Sequence, residues 1–109
     1  MRINIRPSPA WPPASVALVR KRLEFALGRF AGRVRSLTVR LTDANGPRGG
    51  CDKKCVIAVR LTVPRRLVVI EDVDADHNAV VSRAAERASR AVSRAVRSAL
   101  DYRTVPAGY

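Results

Sequence analysis

Residues 36–73, SLTVRLTDANGPRGGCDKKCVIAVRLTVPRRLVVIEDV, decide the fold. The stretch opens with strict alternation: Leu37, Val39 and Leu41 share one face, while Ser36, Thr38, Arg40 and Thr42 share the other. A period of two is the signature of a half-buried strand, here spanning about 33–43. Residues 43–54, DANGPRGGCDKK, carry three glycines, a proline and an Asn-Gly pair, a composition that predicts a long basic hairpin loop. Alternation resumes through Cys55, Ile57, Val59, Leu61 and Val63, Pro64-Arg65-Arg66 turns the chain, and 67–73 reads as another, mostly apolar strand. Three consecutive strands of this kind form a meander.

Working outward, Ile3 and Ile5 alternate with Arg2, Asn4 and Arg6 and predict a short first strand, which Pro7, Pro9, Pro12 and Pro13 convert into a stiff connector. Val16, Val19, Leu23, Ala26, Leu27 and Phe30 then recur at helical spacing, so a helix is expected over roughly 15–31, with Ser15 as cap and Gly32 as stop. Beyond the meander, Asp76 can cap a second helix to about residue 102, whose apolar face is Val81, Ala84, Ala85, Ala88, Val92, Ala95, Val96 and Ala99. The expected order is β-α-β-β-β-α, an α+β domain with one four-stranded sheet covered on a single face by two helices. The uncovered face would carry Arg2, Asn4, Arg6, Thr38, Arg40, Arg60 and Thr62. A single domain is expected over 1–103, with 104–109 as a frayed tail containing Pro106 and Gly108.

Charge dominates the composition of these 109 residues. Lys and Arg number 21 against 9 Asp and Glu, a formal charge of +12, and 18 of the cations are arginine. A domain so charged repels itself unless an anionic partner compensates, and the planar fork of arginine fits phosphate oxygens two at a time. The sharpest local pattern is Arg83, Arg87, Arg90, Arg94 and Arg97, which at steps of four and three keep to a helical stripe roughly 80° wide. Within that helix Glu86 can pair with Arg90 at i,i+4, and most of the stripe is left without an internal counterion. Arg20, Lys21, Arg22 and Arg29 add cations on the first helix, and Lys53, Lys54 and Arg48 add them in the glycine-rich loop, which either touches an RNA backbone or is simply a turn. Phe25 falls outside the main apolar stripe, and edge packing is the expected reading for it, with stacking on a base as the alternative. Trp11, in the proline-rich turn, is expected to pack over the sheet edge.

Other chemistry is thinly supported. Cys51 and Cys55 with His77 fall short of the four ligands of structural zinc, and Cys55 reads as a small buried strand residue, so no metal and no cofactor are expected. Glu71, Asp72, Asp74 and Asp76 lie within six positions, as in a metal-dependent nuclease, but read more simply as outward-facing strand-end acids followed by a cap. The glycine-rich loop lacks the spacing of a nucleotide-binding loop and joins two strands. No apolar run suits a membrane span or a signal peptide, so a soluble cytoplasmic protein without a membrane partner or small-molecule substrate is expected.

The opening INIR (3–6), the stretch VRLTDANGPRGGCDKKCVIAVRL (39–61) and DADHNAVVSRAAERASRAVSR (74–94) resemble the hibernation-promoting factor and ribosome-associated inhibitor family of bacteria, over nearly the whole chain. The resemblance implies a β-α-β-β-β-α fold, similar in outline to a double-stranded-RNA-binding domain. It also implies a non-enzymatic role as a hibernation factor: occupation of the messenger and transfer RNA channel of the small ribosomal subunit, by contact with its rRNA, and steric block of translation. The family's basic last-helix positions match Arg87, Arg90 and Arg94, with Arg83 and Arg97 extending the stripe, and its first-helix cations correspond loosely to Arg20, Arg22 and Arg29. Asn78 and Ser82 stand where many members carry an aromatic residue and Asp. The chain resembles a short form, expected to be a monomer when free. A general structured-RNA-binding module, an RNA-cleaving enzyme using the acidic segment and a homo-oligomer formed through the open sheet face are the rival readings.

Overall fold

The computed structural model describes residues 1–45 and 51–104, with the side chains at 44, 45, 51 and 99–104 outside that description. The centre of the glycine-rich loop, Arg48 included, and the expected tail beyond residue 104 therefore lie outside the described residues. Six main elements follow one another: β1 (Arg2–Pro7), α1 (Pro13–Leu27), β2 (Val34–Asn45), β3 (Cys51–Leu61), β4 (Arg66–Asp74) and α2 (His77–Thr104). The order is the one the alternating and helical periods predict.

The sheet order is β1-β2-β3-β4, with β1 parallel to β2 and the other pairs antiparallel. Because β1 and β2 run the same way, the chain must return between them, and α1 makes that return across one face. Leu37, Val39, Leu41, Cys55, Ile57 and Val59 are buried on that face against Val19, Leu23 and Leu27 of α1 and Val80, Ala84, Ala88 and Val92 of α2. Alanine at 84 and 88 leaves little side chain between helix and sheet, so α2 can lie close to the strands. Arg2, Asn4, Arg6, Arg40, Arg60 and Thr62 are exposed on the opposite side, as the alternation requires.

Several boundaries move, each for a local reason. Helix α1 begins at Pro13, not at Ser15: Pro12 is the extended residue before the helix, and its carbonyl accepts from the Ser15 and Val16 amides at 2.9 and 3.1 Å. Proline at the first helical position has no amide to lose and a φ already suited to the helix, so two connector prolines become a helix start. Its end comes earlier than Gly32, at Leu27, where the chain tightens into a 3-10 turn over Gly28–Phe30. Strands β2 and β3 run further into the glycine-rich stretch than their apolar alternation suggests, pairing Asp43 with Lys53 and Asn45 with Cys51. Lys53 and Lys54 are therefore ladder residues, not loop residues. At Asp76 the expected cap is present, its Oδ2 accepting from the Ala79 amide at 3.1 Å.

Trp11 is buried more deeply than edge packing implies, 3% exposed, with its indole N–H donating to the Thr42 carbonyl at 3.1 Å and its ring edge-on to His77 at 4.7 Å. It seals the end of the core where the connector crosses from β1 to α1.

Candidate nucleic-acid interface

The five arginines of α2 share a helical face but not a common environment. On β4 the acid alternation is in the opposite phase to the expected one: Val73 faces solvent, and Asp72, 9% exposed, points toward the helix. Arg83 reaches it from α2, Nε donating to both carboxylate oxygens at 2.9 Å and Nη2 to Oδ1 at 2.7 Å, and Nη2 also donates to the Val73 carbonyl and to Asp74 Oδ2. Arg87 adds a bond to Asp72 Oδ2 at 3.1 Å and another to the Glu71 carbonyl at 2.7 Å. Counterions for the first two turns thus come from the neighbouring strand, which a search confined to the helix cannot find.

These bonds set the local titration. The Arg83 hydrogen bonds, then those from Arg87 and the Val73 amide, hold the Asp72 carboxyl below its ordinary range against the opposing effect of burial. Asp74 is lowered mainly by the Asp76 amide and then by Arg83. Cys55, also on the helix side of the sheet, is pushed up to about 12 by burial and by the nearby Asp72 charge. Its thiol stays protonated at neutral pH, consistent with a packing residue.

Further along α2 the picture changes. Arg90 is mostly exposed and pairs with Glu86 one turn earlier. Arg94 and Arg97 are exposed, and among the described residues neither has a carboxylate partner. Together with Arg90, with Arg29 from the 3-10 turn after α1, and with Ser93 and Ser98 they line a depression of about 300 Å³. Four arginines thus border it, with serine hydroxyls as additional donors, while the Arg29 guanidinium lies over the Phe30 ring, 4.7 Å from its centroid.

Beside it, a groove of about 530 Å³ runs between the helices, walled by Arg22 and Phe25 on α1, Arg29 in the turn after it, and Ser82, Glu86 and Ser89 on α2. Phe25 is 91% exposed, which overturns the expectation that it packs at an edge. An aromatic ring held in water, with Arg22 one turn before it on α1 and Arg29 in the 3-10 turn that follows, presents a π-face flanked by phosphate donors.

The remaining basic residues singled out from the sequence lie elsewhere. Arg20 is turned toward β1, with Nη1 3.5 Å from the Ile3 carbonyl, and does not line the groove. Lys53 pairs with Asp43 at 2.9 Å and Lys54 with Glu71 at 2.6 Å, so both are engaged along the sheet and away from the inter-helix groove. Among the described residues no three potential metal ligands gather, and no helix is long and apolar enough to cross a membrane.

Element order, a four-stranded sheet and two helices on one face define the class: an α+β domain with the β-α-β-β-β-α fold that the resemblance carried by INIR and the last-helix motif implies. The structure is similar to the N-terminal domain of Protein Y from Thermus thermophilus, with a TM-score of 0.63 and 25% identity over 86% of this chain and 98% of that one. In fold it is also similar to a ribosomal subunit interface protein from Coxiella burnetii, with a TM-score of 0.64 and 15% identity over 86% and 96% of the two chains. No family model matches the sequence, and no curated protein matches it either.

Proposed function

We propose that the domain is a cytoplasmic, non-enzymatic hibernation factor that binds rRNA of the small ribosomal subunit in the channel used by messenger and transfer RNA and blocks translation by occupying it. The observation that carries this reading is the depression formed by Arg29, Arg90, Arg94 and Arg97, continuous through Arg29 with the groove beneath Phe25. Phosphates fit the guanidinium cluster, and an unpaired base fits the face of Phe25 between Arg22 and Arg29. Arg83 and Arg87 keep about half of their surface exposed and serve mainly to fix α2 on β4. Such a surface senses backbone spacing and an unstacked base and needs no bond to be broken.

The test is co-sedimentation of the protein with purified small subunits, with transfer RNA as competitor. Stoichiometric binding that transfer RNA displaces is expected. Equal affinity for any RNA duplex, undisturbed by transfer RNA, would replace the ribosomal role with that of a general structured-RNA-binding module.

A further inference from the structure

A second basic cleft lies at the far end of the sheet, built from residues that no helix contributes. Arg35, Arg60, Arg65 and Arg66 surround a space of about 390 Å³, with Thr62 and the half-exposed Leu67 completing its wall. The local backbone explains the convergence. Between Val34 and Ser36 the β2–β3 register shifts, and Arg35 occupies the irregularity. A bulge of this kind adds a residue to one strand and re-aims its side chain, here bringing Arg35 to the cleft lined by Arg60 of the next strand. Cross-strand pairing sets Arg60 against Leu67 and Leu61 against Arg66, the first residue of β4, and the β3–β4 turn supplies Arg65.

The frame is anchored: the Thr62 amide and hydroxyl both donate to the Arg33 carbonyl, at 2.9 and 3.2 Å, tying the turn to the start of β2. Among the described residues none of the four guanidiniums has a carboxylate partner, whereas Arg83, Arg87 and Arg90 all do. Four cations brought together without a counterion repel one another unless an anion enters between them.

We infer that this cleft binds consecutive backbone phosphates of an RNA strand, at a place separate from the inter-helix groove. The inference rests on the reading of the domain as RNA-binding. Arginine forks match phosphate oxygens, and exposed Leu67 offers an apolar surface for a ribose or base. Because Arg60 and Leu67 lie on the uncovered face and the helices on the other, a strand seated here is not the one seated over Phe25 unless it passes around the end of the sheet. The domain would then be gripped on two sides.

The experiment measures affinity for a fluorescein-labelled RNA hairpin across a salt series, for the wild type, Arg60→Gln/Arg65→Gln/Arg66→Gln, and Arg90→Gln/Arg94→Gln/Arg97→Gln. The turn pair Arg65→Gln/Arg66→Gln serves as a second cleft variant should the triple variant melt early. The cleft variants are expected to lose at least about tenfold in affinity at moderate salt, and the triple variant to lower the log–log salt slope by about two to three, with unchanged melting temperature. A wild-type slope in the cleft variants, with a reduced slope in the helix variant, overturns the cleft and leaves the RNA reading standing. Failure of the wild type to bind the hairpin overturns both. Thermal stabilisation by inorganic tripolyphosphate that the cleft variants lose, with no change in their RNA slope, overturns the RNA assignment in favour of a free polyphosphate anion.

Discussion

Asp72 is the residue on which two apparently separate features depend. Its carboxylate accepts from Arg83, Arg87 and the Val73 amide, so it holds α2 in register on β4 while withdrawing two arginines from the free stripe. Replacing it by Asn leaves Arg87 without a carboxylate partner and Arg83 with Asp74 alone, and Asp72→Asn is expected to destabilise the fold by about 2–3 kcal/mol in denaturant titration, less than is usual for breaking a buried pair because the arginines are half exposed. The pH dependence has a definite sign. A carboxyl held below its ordinary value of 3.8 contributes stability that is fully present above that value and lost as pH falls through the lowered folded value. Melting temperatures of the wild type should therefore fall below about pH 4, and the Asn variant should lose part of that slope. Phe25 gives the opposite kind of prediction. With its ring in water, Phe25→Ala should leave stability within about 0.5 kcal/mol of wild type and weaken binding to single-stranded RNA by about 1–3 kcal/mol, read by fluorescence anisotropy. Unchanged affinity would remove the stacking role.

At the scale of the element, α2 divides into an anchoring half and a presenting half. Arg83→Gln/Arg87→Gln should lower the melting temperature and change the RNA salt slope little, whereas Arg94→Gln/Arg97→Gln should lower the slope by about two without a change in melting temperature. Equal effects on stability from both pairs would abolish the division. The helical period shows that five arginines share a face, and it does so because side-chain direction in a helix is set locally. It cannot show that β4 offers Asp72 to two of them, since that depends on the phase in which β4 docks, and an acid between Glu71 and Val73 reads as the solvent side. The same holds for Phe25: its separation from the apolar stripe is legible, but whether a neighbouring element covers it is a question of tertiary packing. Alternation locates β1, β2 and β3 because each has one buried face, a mostly apolar run locates β4, and alternation shortens β2 and β3 where polar residues continue the ladder. Lys53 and Lys54 were displaced from loop to strand for that reason.

At the scale of the molecule, charge is sorted along the strand direction. Asp43, Asp52, Glu71, Asp72, Asp74 and Asp76 gather where the β2–β3 hairpin, the end of β4 and the start of α2 meet, as the pairing of Asp43 with Lys53 and of Lys53 with Asp74 requires. Arg29, Arg35, Arg60, Arg65, Arg66, Arg94 and Arg97 gather toward the other end, where α1 finishes, β2 begins and the β3–β4 turn lies. A charge of +12 would attract a polyanion from any direction, but a charge so distributed also orients the approach, offering the arginine-rich end first. Position and total charge can be separated with two variants of identical net charge. Arg6→Gln/Arg40→Gln removes two cations that are paired side by side on the open face, toward the acidic end, and Arg94→Gln/Arg97→Gln removes two from the basic end. If position governs binding, the first pair should cost at most about threefold in affinity for small subunits at moderate salt and the second at least about tenfold, with association rate constants falling in the same order. Equal losses would mean that the partner responds to net charge alone, and the polarity of the domain would then have no part in how it docks.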